Sequence, residues 1–212
     1  MERYLAPAGV GDFELIEKRS KFIACVMPVY SEEAAKVEIA RVRAKYHDAN
    51  HNCWCYIVLG GPERYSDDGE PQGTAGLPML EVFRREGIYN VCCVVTRYFG
   101  GILLGAGGLS RAYSSSAKQA LLKAGTTEFR LCDDLRITCR YDLLGRIKHE
   151  LENNNCLIVN IEYLESVIFS VLVSAGTSDG LCRKLQDVSA GAVSSVVTGK
   201  VYTNKLIDPA GK

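Results

Sequence analysis

The chain of 212 residues has no excess of either charge, since Lys plus Arg and Asp plus Glu both number 25. A balanced chain exerts no global pull on nucleic acid or an anionic membrane, so any such binding has to come from a local patch. This counts against a strong non-specific nucleic-acid binder, and no sequence-specific DNA binding is expected. Long apolar runs are missing too, and none approaches the ~18 to 20 residues of a membrane-spanning helix. The first stretch, MERYLAPAGVGDFELIEKRSKF, lacks a basic segment followed by an apolar one, so no signal peptide is expected. These absences point to a cytosolic protein without membrane contact. Two phosphate-binding signatures are absent as well: no Gly-Lys-Ser/Thr follows a glycine loop, and GxGxxG is not met.

Cysteine, by contrast, is abundant: nine residues, an odd count, with no CxxC pair of the zinc-ribbon type. Most lie in apolar runs such as CCVV and NCLIV, where a thiol behaves as a small buried hydrophobe. A reducing compartment and structural thiols are expected, with no metal or other cofactor.

Hydrophobic periodicity organises the rest. Residues 21–29 alternate as a strand and end at Ser31, a helix N-cap. The following helix carries Glu32 and Glu33 in its first turn, where they favour the positive end of the helix dipole, and an apolar stripe of Ala35, Ile39, Val42 and Tyr46. NCWCYIVLGG and NVCCVVTRYFGG read as strands, the second apolar on both faces and so central in a sheet. TAGLPMLEVFRREG and LSRAYSSSAKQALLKAG read as helices stopped by Gly87 and Gly125. Beyond a boundary near 126–132 the order becomes β-α-β-β-α-β, the split βαβ arrangement of ferredoxin-like domains. The expected domains are 1–127 and 132–205, in an α+β chain.

Two turns stand out. Thr96, Arg97 and Tyr98 close a strand, Gly100, Gly101, Gly105, Gly107 and Gly108 form a loop, and Arg111 sits in the first turn of the next helix. Loop amides and a helix N-terminus point toward an anion, and a cation at that end is easier to explain with an anion between. The plain alternative is that the glycines serve positive φ and close packing. The earlier stretch YSDDGEPQGTAG holds Asp67, Asp68, Glu70 and Thr74. Its carboxylates suit a divalent cation, acid–base work, or pairing with Arg97 and Arg111; taken alone, the stretch reads first as a solvated turn, with Asp-Gly and Glu-Pro there for backbone geometry. In HDANHNCWCY, alternation puts His51, Cys53 and Cys55 on one strand face and Trp54 on the other. A Cys–His nucleophile, a zinc site and a polar residue beside the main site are the readings for His51.

His51-x-Cys53, SDDGEPQGTAG and VTRYFGGILLGAGGLSRAYS together strongly resemble the YigZ/Impact family, over about Lys18 to Gly125. The second half is similar to the C-terminal domain of bacterial YigZ-type members. Leu77 and Ser110 depart from the usual pattern, where a basic residue and an aliphatic are more common. The resemblance implies a first domain of two α/β layers, similar to the second domain of a small-subunit ribosomal protein and to small-molecule kinases of the mevalonate and homoserine type. It implies a second domain similar to the last domain of elongation factor G. It also implies a link to translation: eukaryotic Impact proteins regulate it by competing for an activator of a stress-responsive kinase, and bacterial members are candidate nucleic-acid or ribosome binders.

The primary expectation is therefore a non-enzymatic binding module in translation, with RNA or the ribosome as partner. Arg97, Arg111 and the loop amides would hold a phosphate, positioned by Asp67, Asp68 and Glu70. The alternatives are an enzyme acting on a phosphorylated small molecule or nucleotide, and a regulator that binds a protein partner.

Overall fold

The computed structural model describes residues 1–205. The first half runs β1 (Arg3–Pro7), β2 (Gly11–Glu17), β3 (Ser20–Pro28), α1 (Glu32–Lys45), β4 (His51–Ile57), β5 (Glu63–Ser66), α2 (Gly76–Arg85), β6 (Val91–Tyr98) and α3 (Ala106–Ala124). The second runs β7 (Thr126–Cys139), α4 (Leu144–Asn153), β8 (Leu157–Tyr163), β9 (Val167–Ser174), α5 (Ser178–Ser189) and β10 (Ser194–Thr203). They divide into two units, Tyr4–Glu128 and Met1–Arg3 with the chain from Phe129 onward.

The first unit is built on an antiparallel sheet in the order β2-β3-β6-β4-β5. Its middle strand, VCCVVTRY, is buried from Val91 to Arg97. Side chains alternate along a strand, so Val91, Cys93 and Val95 join Phe22, Cys53 and Cys55 beneath α2 and α3. Cys92 and Val94 face the other way, joining Met27 and Tyr56 beneath α1. Helix α1 covers that face, and its stripe Ala35, Ile39 and Val42 demands that burial. Ser31 caps it, accepting a hydrogen bond from the Ala34 amide at 3.1 Å, a contact worth about 1 kcal/mol.

In the second unit β7 is flanked by β10 and β9, with β8 outside β9, all antiparallel. With α4 and α5 packed over Leu135, Ile137, Phe169 and Val171, this is the ferredoxin-like βαββαβ arrangement. The stretch 126–132, read as a boundary, is strand throughout, because β7 runs for 14 residues. Strand β1 pairs with it, and the Leu131 amide donates to the Glu2 carbonyl at 2.8 Å. That bond places Met1–Arg3 with the second unit, which no local pattern announces. All nine cysteines are free thiols, seven of them buried. No helix among the described residues is long and apolar enough to cross a membrane.

Candidate functional site

The acidic turn gives its three carboxylates three separate jobs. Asp68 at φ 44° and Gly69 at φ 86° turn the chain sharply after β5, and the Glu70 amide donates to the Asp67 carbonyl at 2.9 Å. Asp67 then faces the start of α2: its Oδ1 accepts from the Ala75 and Gly76 amides at 3.0 and 2.8 Å, and its Oδ2 from Gly73 at 2.8 Å. It stands in for the cap that Ala75 cannot supply, satisfying donors a helix N-terminus leaves open. Asp68 ties the turn to β4 and α1, accepting from the Asn52 amide at 2.7 Å and pairing with Arg43. Thr74 is buried and donates to the Pro71 carbonyl at 2.6 Å.

Glu70 alone points inward. Its Oε1 accepts from Arg97 Nη1 and from the Tyr113 hydroxyl, each at 2.7 Å. The ion pair is nearly sealed, with side chains 5% and 3% exposed for Arg97 and Glu70. Arg97 Nη2 donates to Ser20 Oγ at 3.2 Å, and the guanidinium lies 5.3 and 5.4 Å from the Phe22 and Phe99 ring centres. Its Nε is buried without a hydrogen-bond partner. Register places His51 of β4 directly opposite Arg97 of β6. The His51 Nδ1 lies 2.9 Å from the Asp68 carbonyl, and its Nε2 lies 4.0 Å from Glu70 Oε2.

The glycine loop closes over this cluster. Gly100 passes so close to Arg19 that an added Cβ would sit 2.0 Å from its carbonyl carbon, and its amide donates to Ser20 Oγ at 3.2 Å. Gly105 precedes α3 at φ 74°, and no side chain caps that helix end. Gly101 also has positive φ, Gly107 has open space where a Cβ would be, and Gly108 packs on Leu104. The acidic turn and the glycine loop thus meet around one cavity of about 410 Å³, within the range of a small-ligand site, lined by His51, Glu70 and Arg97 together with Phe99, Leu104 and Gly105.

Two of the expected residues stand elsewhere. Tyr98 alternates to the opposite sheet face, where its hydroxyl donates to Asp48 at 2.7 Å. Arg111 is exposed and lines two other cavities, one of them an 880 Å³ groove between α2 and α3. Leu77 and Ser110 line that same groove. The pairing of Arg97 with Arg111 into a phosphate clamp is therefore not assembled: one arginine is buried and already neutralised, the other faces solvent. Tyr113, Phe22 and Phe99 were absent from the sequence-derived set. For Tyr113 the signal was present in the buried helical stripe Leu109, Ala112, Tyr113 and Ser116.

The chemistry of the buried groups follows from their surroundings. Burial pushes the Cys53 thiol up to about 12. Its Sγ donates to the Asp67 carbonyl at 2.9 Å and lies 3.4 Å from Tyr113 Oη. A thiol held protonated in this way is not a nucleophile at neutral pH. Burial, then Cys53 and Glu70, raise Tyr113 as well, so its hydroxyl stays a donor to Glu70. No group of three or more His, Cys, Asp or Glu among the described residues is placed to hold a metal ion.

Residues 18–121 match the Impact N-terminal domain and residues 137–192 a domain of unknown function, DUF1949. The chain is 34% identical over 98% of its length to the IMPACT family member YvyE of Bacillus subtilis, covering 97% of that protein. The chain belongs to the IMPACT family. Its likeness to the family member YigZ of Escherichia coli is 36% over 91% of the chain and 97% of that protein. Mouse Protein IMPACT is 34% identical over 43% of this chain and 30% of its own length. A crystal structure of a hypothetical protein aligns with TM-score 0.64 and 34% identity, covering 93% of this chain and 98% of its own. The matched Impact segment holds all of the cavity-forming residues named above.

Proposed function

We propose that this protein is a non-enzymatic binding module acting in translation, and that its cavity receives an unpaired nucleotide of RNA. The observation that carries the reading is the character of the cavity walls. Pro71, Phe99, Leu103 and Leu104 supply apolar surface, and His51, Glu70 and Arg97 supply a few convergent polar groups. Phe99 is 45% and Leu103 82% exposed at its mouth. Proteins hold single-stranded RNA by stacking splayed bases on aromatic faces and reading their edges with such polar groups. The family's eukaryotic members, linked to translation through the resemblance, support the cellular setting. Because Glu70 neutralises Arg97, affinity rests on the base more than on phosphate, and its salt dependence is shallow.

The test is co-sedimentation with ribosomes, and anisotropy with a labelled single-stranded RNA, at rising salt. Phe99→Ala is expected to weaken RNA binding about tenfold, the scale of one lost base stack. Arg111→Ala, outside the cavity, is expected to change it little. Absence of RNA and ribosome binding at low salt overturns the reading. The cavity volume also favours a second one, a small phosphorylated ligand or nucleotide, for which magnesium-dependent turnover would be the decisive result.

A further inference from the structure

The hydrogen-bond pattern around His51 settles which of its nitrogens carries the proton in the neutral ring. Nδ1 lies 2.9 Å from the Asp68 carbonyl oxygen, which can only accept, so the proton is on Nδ1. Nε2 is then left with its lone pair, on a residue that lines the cavity. Glu70 lines the same cavity. Its Oε1 is taken by Arg97 and Tyr113, while among the described residues its Oε2 accepts no hydrogen bond. The two free acceptors are 4.0 Å apart. That separation is too long for a hydrogen bond between them and allows one nitrogen, about 2.8 Å from each, to bridge both.

Resting on the RNA reading above, we infer that the cavity selects a nucleobase carrying an exocyclic amino group, which donates one hydrogen to His51 Nε2 and one to Glu70 Oε2. A carbonyl at the same place sets a lone pair against two others and leaves both acceptors unsatisfied. Cytosine and uracil differ at position 4 in this way, amino against carbonyl, with nearly equal shape. Guanine and hypoxanthine differ by the 2-amino group alone. The apolar walls hold the ring plane but cannot distinguish these pairs, so discrimination falls to His51 and Glu70.

The experiment is anisotropy at pH 8 with labelled oligocytidylate and oligouridylate of equal length, repeated with oligoguanylate and oligoinosinate kept unstructured by short length and low potassium. The cytidine oligomer is expected to bind about 10- to 100-fold more tightly than the uridine one, the scale of a lost pair of hydrogen bonds including one to a charged group. His51→Ala, its fold checked by Trp54 fluorescence, is expected to shrink that preference by about 2- to 10-fold, the scale of one lost neutral hydrogen bond, with the Glu70 bond keeping the remainder. Equal binding of cytidine and uridine oligomers by the wild type overturns the amino-group assignment and leaves the RNA reading standing. A preference in His51→Ala equal to that of the wild type overturns the role of His51. Failure of every oligomer to bind at low salt overturns the RNA reading and this inference with it. The wild-type comparison decides the matter even if the variant does not fold.

Discussion

The two units of this protein are built from similar strands and helices but differ in what they bury. The second packs Leu135, Ile137, Leu151, Phe169 and Leu185 into a nearly apolar core, with Asp133, Ser178 and Ser189 as its buried polar side chains. The first buries Ser20, Asn52, Glu70, Thr96 and Arg97 within a few hydrogen bonds of one another. Burying charge is costly unless each charge is paired, and a buried ion pair is weak evidence for stability as such. An apolar core needs no such justification. The difference therefore assigns one unit's interior mainly to holding the fold, and the other's partly to presenting a prepared polar site.

The comparison breaks most sharply at Glu70. Glu70→Ala leaves Arg97 buried and uncompensated, an expected loss of about 3 to 5 kcal/mol. Trp54, the chain's one tryptophan, lies in the first unit and reports its urea unfolding directly. The double variant Glu70→Ala/Arg97→Met is expected to recover much of that loss, since no orphan charge remains. Recovery of nothing would mean that Glu70 acts through its shape or through Tyr113 alone. In the second unit the matching deletion is Leu185→Ala, fully buried beneath the sheet. It is expected to cost about 2 to 5 kcal/mol by packing alone, followed by far-UV circular dichroism in urea.

A more gradual effect comes from pH. The Cys53 thiol is raised from its ordinary value of 9.0 to about 12, by burial first of all. Its protonated form is the one the fold favours, so the contribution is intact below pH 9 and is lost as pH climbs toward 12. One such proton corresponds to a slope of about 1.4 kcal/mol per pH unit within that window. Alkaline titration of the Trp54 transition is expected to fall with pH above 9, and more gently in Cys53→Ala. Identical slopes in the two proteins would remove Cys53 from the account.

Much of the fold was readable because each element carries its own punctuation. The strand preceding Ser31, the capped helix after it and the two-sided apolar run VCCVV all form as their patterns predict. So does the second unit's βαββαβ order. Strand β1 was not readable, because its partner is β7, more than a hundred residues on, and short sequence windows contain no trace of such a pairing. The site was half readable. Its two turns were found, and their meeting around one cavity follows from β4 and β6 being neighbours. The arginine pair was misjudged, since a guanidinium's partners are unknown until the sheet register is known.

The sequence by itself determined the two-domain α+β plan, the acidic and glycine-rich turns and the family, because periodicity, caps and long motifs are local properties of the chain. Only the tertiary structure decided that Asp67 caps a helix, that Asp68 anchors β4, and that Glu70 meets Arg97 and Tyr113 in the interior. The three carboxylates are alike in charge and nearly adjacent in sequence. They part because a sharp turn sends each side chain to a different neighbour, and burial leaves Glu70 no water to replace the partners it meets.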